Sequence, residues 1–487
     1  MNKKQLFKQD FVLYQSSHQS HITYEFYLPA AVDQLEIRFT YDPLVESNYD
    51  HLIPCFEREG IARDKLQKGD AFRNLLTLSV NDPERFRGAH HYFNQEQEIR
   101  IGEQEASLGF VEGPLLAGNW QVVISCHGLF SPELKGSLEV VGYSKEDWQV
   151  KRAEVLTKVV SGQRQRERPL SDRSWTFAKA ELHAHTIHSD ADQTAEEIMT
   201  EAQARALDWL AITDHNTITA IDEIQINDYY QTDVQLIPGL EFTTFYGHFL
   251  LHGRPEYLFH NWTEVNLGNF ESYIAQLKDW PVNITIAHPF DQGNPWCTGC
   301  HWDYQVTDLS NVDAIEVWNS PNPHLSESNK MAYQAWTDLL AQGYELSGHC
   351  GQDWHRASHP DERLAYTYFL LPNQASLEEV LSAHRLGRSY ASLRPNLEKM
   401  VVNDCYQLGD RINHASTWQV DIVLTKLEEG DQIFLKSAKE NLKVFISDND
   451  KYVINTSVKM ESFSLLRLEI RDKNNFLIMF TNSIYHQ

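Results

Sequence analysis

From residue 177 to residue 392, short apolar runs alternate with helical patterns, and this alternation constrains the fold more than any other feature. The runs at 209–213, 234–238, 282–287 and 312–318 read as buried strands. Between them, 195–207 (with Thr194 as its N-cap) and 328–342 carry helical periodicity. Alternation of this kind builds a parallel sheet or a β/α barrel. The flanks differ. Residues 35–41, 75–80 and 120–125 are β-branched or alternating, with Gly and Pro clusters between them, which predicts a small antiparallel sandwich. Strands return at 418–424 and 463–470. The expected organisation is therefore multidomain. It comprises an N-terminal β-sandwich-like domain at 1–145, a linker or helix at 146–176, a central α/β domain at 177–395 and a C-terminal β-rich domain at 396–487.

Charge narrows the partners. Lys and Arg total 42 against 68 Asp and Glu, a net charge of −26. Such a field repels nucleic acid and anionic membranes, and opposes an acidic substrate unless metal ions or a basic pocket reverse it locally. The basic run Gln163-Arg-Gln-Arg-Glu-Arg168 is short and mixed in sign, so no nucleic-acid partner is expected. No window approaches the ~18 uninterrupted apolar residues of a membrane span. Residues 1–10 have basic residues without an apolar core after them, unlike a secretory signal. Four of the six cysteines, Cys55, Cys126, Cys350 and Cys405, are isolated, which does not make a disulfide framework. A reduced, cytoplasmic protein acting on a small molecule is the expectation.

Histidine is uneven: 13 of 22 fall between His183 and His359. Glu181-Leu-His183-Ala-His185 puts two imidazoles at i and i+2, on one face of a strand. Asp190 follows closely. The next runs end in Asp214-His215, Glu241, His288-Pro289 and Asp353-Trp-His355, the last repeating the i, i+2 spacing. Each candidate lies at or just beyond a strand's C-terminal end, the face where β/α barrels assemble their sites. Five histidines and three carboxylates converging without metal would leave poorly satisfied buried polar groups. Divalent ions resolve this, and imidazole with carboxylate suits Zn, Fe or Mn.

The same residues carry a family resemblance. His183-x-His185-Thr-x-x-Ser189-Asp190, Thr213-Asp-His215, Glu241, His288-Pro289 and Asp353-x-His355 resemble the ordered motifs of the PHP (polymerase and histidinol phosphatase) domain. More narrowly, the segments Glu241 to His248, His288-Pro-Phe, Trp296-Cys-Thr-Gly-Cys300, Glu316-Val-Trp-Asn319 and Thr481 to Tyr485 are similar to those of CehA/McbA metallohydrolases. The resemblance implies a distorted (β/α)7 barrel over the central domain, holding two or three metals. It implies one site formed by His183, His185, Glu241 and Asp353. Glu241 would bridge to an ion held by His288, and Asp190, His215 and His355 would form a third site or complete the second. Three positions depart from the pattern. Gln352 and Trp354 replace small residues, so Trp354 is expected to reshape the pocket, and Ala191 stands for the Gly after Asp190.

Hydrolysis of a phosphate ester is the leading expectation, with Asp353 as proton acceptor and Glu241 and His288 as its catalytic companions. Carbamate or carboxyl ester hydrolysis at the same site follows closely; a barrel that binds without chemistry comes last. His248 and His252 are secondary site candidates. Cys297 and Cys300 are expected to shape a loop beside the pocket, and Trp296, Trp302 and Trp318 to pack. Arg254, Arg356 and Arg388 could each neutralise a phosphate, but taken singly a surface or ion-pair role is the main expectation.

Overall fold

A computed structural model describes residues 3–30, 32–144, 174–227, 232–413, 416–460 and 464–486. Most of the expected linker or helix at 146–176, and Phe463 of the last predicted strand, lie outside these residues.

The N-terminal strands form two facing antiparallel sheets. One orders Lys4–Tyr14, Glu133–Tyr143, Gln34–Asp42 and Glu96–Gly102; the other orders Ser20–Leu28, Gly118–Gly128, Leu75–Asn81 and Phe86–His90. Alternate side chains turn inward and bury Phe39, Ile37, Leu78, Val122, Trp120 and Leu138 between the sheets. A capped helix, Tyr49–Arg58, with Asn48 accepting from the Asp50 N–H, lies at one end. Its Phe56 packs with Phe72 and Phe130 and so anchors the short strand Phe72–Arg73.

The central strands follow the alternation. Trp175–Glu181, Trp209–Ile212 and Gln235–Thr243 pair in parallel, as do Val282–Ile286, Ala314–Trp318 and Ser347–Cys350. Between the two groups runs an unanticipated antiparallel strand, His248–Gly253. Thr194 does cap Ala195–Ala204, in a reciprocal capping box with Glu197. The strand path is open, not closed as the (β/α)7 expectation had it. It continues from Trp175–Glu181 through Tyr366–Pro372 and Ser389–Ser392 into the C-terminal strands. An isolated parallel bridge, Ala184 with Trp354, nevertheless joins the two outer parallel strands where they run on toward the site.

The C-terminal strands buttress this arrangement. Leu477–Thr481 pairs with Ser389–Ser392 and extends the central sheet. Just beyond it, the Asn482 amide accepts from the Gly348 N–H at 2.7 Å and donates to the Gly348 carbonyl at 3.0 Å. That pins the strand Ser347–Cys350, which leads into Asp353. A separate three-stranded sheet, Asn396–Val402, Thr417–Thr425 and Tyr452–Lys459, closes a further core around Trp418 and Leu466. No helix among the described residues is long and apolar enough to cross a membrane.

Candidate metal centre

The structure brings all eight predicted ligands together. The extended segment after Trp175–Glu181 supplies His183 and His185, and the turn after Trp209–Ile212 supplies His215. Glu241 lies within Gln235–Thr243, and His288 and Asp353 follow their strands in left-handed backbone, at φ 24° and 50°. Non-glycine residues there cost about 1–3 kcal/mol each, strain that functional sites commonly hold.

Glu241 is the hub. It is fully buried, and five histidines surround its carboxylate. Oε2 lies 3.3 Å from His183 Nε2, 3.4 Å from His185 Nε2 and 2.9 Å from His215 Nδ1. Oε1 lies 2.9 Å from His248 Nδ1 and 3.0 Å from His288 Nε2. Asp353 Oδ1 sits 3.3 Å from His183 Nε2 and 3.1 Å from His185 Nε2. Asp190 Oδ1 completes a neighbouring group, 3.4 Å from His215 Nε2 and 3.1 Å from His355 Nε2. His248, a secondary candidate, joins the centre. His252 does not: it faces the Leu182 carbonyl at 2.9 Å.

The donor set fits divalent metal. His183 Nε2, His185 Nε2, Glu241 Oε2 and Asp353 Oδ1 are all buried and all lack a hydrogen-bond partner. Buried polar atoms are nearly always satisfied, so four such atoms facing one point need an explanation. Bonds of ~2.0–2.2 Å to one tetrahedral ion place ligand atoms about 3.3–3.6 Å apart. The 3.1–3.4 Å separations among these four lie at or just below the short end of that spacing. His185, Asp190, His215 and His355 form a second group able to hold an ion, and Asp190 Oδ1 is likewise unpartnered.

Electrostatics follow from this crowding. Burial alone would keep the histidines neutral, but Asp353, Glu316 and Glu241 raise His183 well above its ordinary value. Burial also opposes charge on His215, which Asp190 and Glu241 raise in the same way. His288 and His355 are brought up to about 9 against burial, chiefly by Glu241 and Asp353 respectively. Burial disfavours the Glu241 carboxylate, yet His215, His183 and His248 hold it well below the usual range. His185 has burial and the neighbouring His355 and His215 against it, and falls to about 3.

Supporting residues fix the ligands. Glu316 Oε1 lies 3.0 Å from His183 Nδ1, and its Oε2 accepts from the His288 N–H and the Asn319 side chain, each at 3.0 Å. Through these three partners Glu316 orients His183 and His288, and the same three residues form another group that could hold an ion. Glu181 Oε1 accepts from the backbone N–H groups of Leu182, His183 and Gln352, tying both ends of the site together. Asp214 accepts from Thr186 and Ser189 and holds the turn before Asp190.

A cavity of about 520 Å³ opens over the centre. One wall is Pro295, Trp296, Cys297, Thr298 and Cys300, with Cys297 and Cys300 joined as a disulfide. The opposite wall belongs to the N-terminal sandwich: Phe72, Arg73, Leu75, His91 and Phe93. His91 is buried, its ring centroid 4.6 Å from that of His215. Sequence reasoning missed this wall, because nothing local in the sandwich marks residues that dock more than a hundred positions away. Trp262 donates to Ser79 Oγ at 3.0 Å and His21 stacks on Phe245 at 4.6 Å, holding the two parts in register.

Several expectations are corrected. Trp354 is absent from the cavity lining: it is buried, with the Arg205 guanidinium 3.7 Å over its ring. Trp296, expected to pack, lines the cavity and is 47% exposed. Arg254, Arg356 and Arg388 take the expected ion-pair role, with Glu378, Glu362 and Asp410, and none of them lines the cavity.

Residues 181–278 match the PHP domain model. The chain carries a PHP domain. The matched segment contains His183, His185, Asp190, His215, Glu241 and His248, whereas His288, Asp353 and His355 join the PHP residues from beyond it. No curated protein matches the chain. Among solved structures, it is similar to a Bacteroides vulgatus two-domain protein described as containing a predicted PHP-like metal-dependent phosphoesterase. Identity is 17% over 66% of this chain and 100% of that one, with a TM-score of 0.39. A structure from Bifidobacterium adolescentis, described as that of a putative metal-dependent phosphoesterase, shares 14% identity over 43% of this chain and 96% of its own, at TM-score 0.27. A Chromobacterium violaceum amidohydrolase, with bound sulfate and no metal, shares 15% over 37% and 89%, at TM-score 0.26.

Proposed function

We propose that this chain is a metal-dependent phosphoesterase, nearest to the CehA/McbA group, with two or three divalent ions (Zn, Mn or Fe) at its PHP domain. The observation that carries this reading is the convergence of four buried, unpartnered ligand atoms from His183, His185, Glu241 and Asp353. These four would hold one ion, with Glu241 also reaching toward His288 and His248; His185, Asp190, His215 and His355 would offer the further position. Bound ions supply a water of lowered pKa and stabilise charge developing on phosphoryl oxygens. Glu241 keeps the ligand histidines grouped, and the second carboxylate oxygen of Asp353 accepts the proton lost by the attacking water. The loop at 295–300 and the sandwich wall exclude solvent from the leaving group. The open strand path is a distorted barrel in this reading, and the domains are 1–145, 177–395 and 396–487.

Elemental analysis of the reconstituted protein tests the reading, beside turnover of aryl phosphates, phosphodiesters and aryl carbamates. At least two equivalents of transition metal and turnover of a phosphate ester are expected; Glu241→Ala should abolish turnover and lower the metal content. Less than one equivalent, or hydrolysis of the carbamates alone, overturns it.

A further inference from the structure

Arg73 stands on the rim of the cavity, on the two-residue strand Phe72–Arg73 paired with Val45–Glu46. Phe72 turns inward against Phe56 and Phe130, so the next residue must turn outward. The guanidinium lies 5.0 Å from the ring centroid of Phe93, which also lines the cavity. Arg73 is the one Arg or Lys among the described residues lining this space. It has no ion pair with a described carboxylate, in a chain where acidic residues outnumber basic ones by 68 to 42. The three arginines that sequence reasoning singled out are all neutralised by carboxylates. An arginine that stays unpaired amid such an excess, stacked and facing a cavity, is kept for an anion that arrives from outside.

We propose that Arg73, contributed by the N-terminal sandwich, is a specificity-determining residue that selects phosphate esters whose leaving group is an apolar ring bearing a carboxylate. The inference rests on the phosphoesterase reading for its scissile end. The metal centre engages the phosphoryl group, and Phe72, Phe93 and Trp296 offer aromatic surface to the ring. The guanidinium then meets the far end. A guanidinium fork matches the two oxygens of a carboxylate and cancels its single charge; a second phosphate would bring more charge than one arginine balances.

The test uses metal-loaded full-length protein and two non-hydrolysable probes, phenylphosphonate and 4-carboxyphenylphosphonate, measured by titration calorimetry. A charge-assisted, forked contact gives a preference of roughly 10- to 100-fold for the carboxylated probe. Arg73→Gln should erase that preference and leave phenylphosphonate affinity within about twofold; Arg73→Lys should keep only part of it. Equal binding of the two probes by the wild type overturns the proposal, as does an equal loss for both probes in Arg73→Gln. Turnover of phenyl phosphate is measured in parallel. Absent turnover with the binding preference intact refutes the phosphoesterase reading and leaves the subsite standing; turnover without the preference does the reverse.

Discussion

Changing Glu316 to glutamine should damage metal binding although Glu316 holds no metal in our assignment. Its Oε2 accepts from two donors, the His288 N–H and the Asn319 side chain, while Oε1 faces His183 Nδ1 alone. A glutamine has one acceptor oxygen. Orphaning a buried donor costs about 1–3 kcal/mol, so the oxygen stays with the pair of donors and the new NH₂ turns to His183. His183 Nδ1 must then accept, which moves the ring proton to Nε2, the atom 3.3 Å from both Glu241 and Asp353. A protonated Nε2 cannot ligate. Restoring the ligating tautomer sets two donors against each other, and second-shell losses of this kind weaken metal binding by roughly 10- to 100-fold. Competition against a chromophoric chelator measures the dissociation constant, with apo-protein thermal stability as the control for folding. An affinity within twofold of wild type refutes the argument. Glu316 would then be a scaffold carboxylate with no hold on the tautomer.

Asp353→Asn should fold, since asparagine accepts the left-handed backbone at φ 50°. It should retain much of the metal but lose rate by roughly 10²–10⁴; a loss of rate only in proportion to metal, measured on the same samples, removes the proton-acceptor role. Gly351→Ala should lower stability and metal content together, because a Cβ there would lie 2.3 Å from Glu316 Oε1 and 2.5 Å from the His183 Cβ; unchanged metal affinity in a folded variant contradicts this. The last concerns pH and the domain contact. Burial lowers His21 from 6.5 to about 4, so the unfolded chain takes up the proton first as pH falls. Its stabilisation is complete above pH 6.5 and is lost progressively toward pH 4, by up to about 3 kcal/mol. Denaturant titrations of wild type and His21→Gln should converge with acidification; parallel curves speak against it.

The candidate ligands that come together were legible because metal chemistry admits few residue types and because strand ends recur in sequence at visible breaks. His183 with His185, and Asp353 with His355, carry that information within three residues. Glu316 was harder. It lies inside Ala314–Trp318, buried among Ile315, Val317 and Trp318, where a carboxylate ordinarily reads as the exposed face of an alternating strand. A lone Glu in an otherwise apolar strand and the family resemblance of Glu316-Val-Trp-Asn319 were the available signs, and its three hydrogen bonds give them meaning. The antiparallel strand His248–Gly253 escaped because pairing direction is a property of two segments, and the sequence of one does not record it.

The arginines show the same boundary between local and long-range information. Arg254 finds Glu378, 124 positions away, and Arg388 finds Asp410, 22 away, so proximity in sequence to the ligands said nothing of their availability. Arg73 precedes the first ligand by more than a hundred residues and reaches the cavity because Phe72 is anchored beneath it. The sandwich is thus a wall of the cavity over the candidate metal centre as well as a folded unit beside it. Ligand geometry belongs to the central sheet, whereas the choice of leaving group falls to Arg73, Phe93 and Trp296. Substitutions in the sandwich wall should therefore change which ester is preferred while metal affinity stays constant, and substitutions around Glu316 should do the opposite.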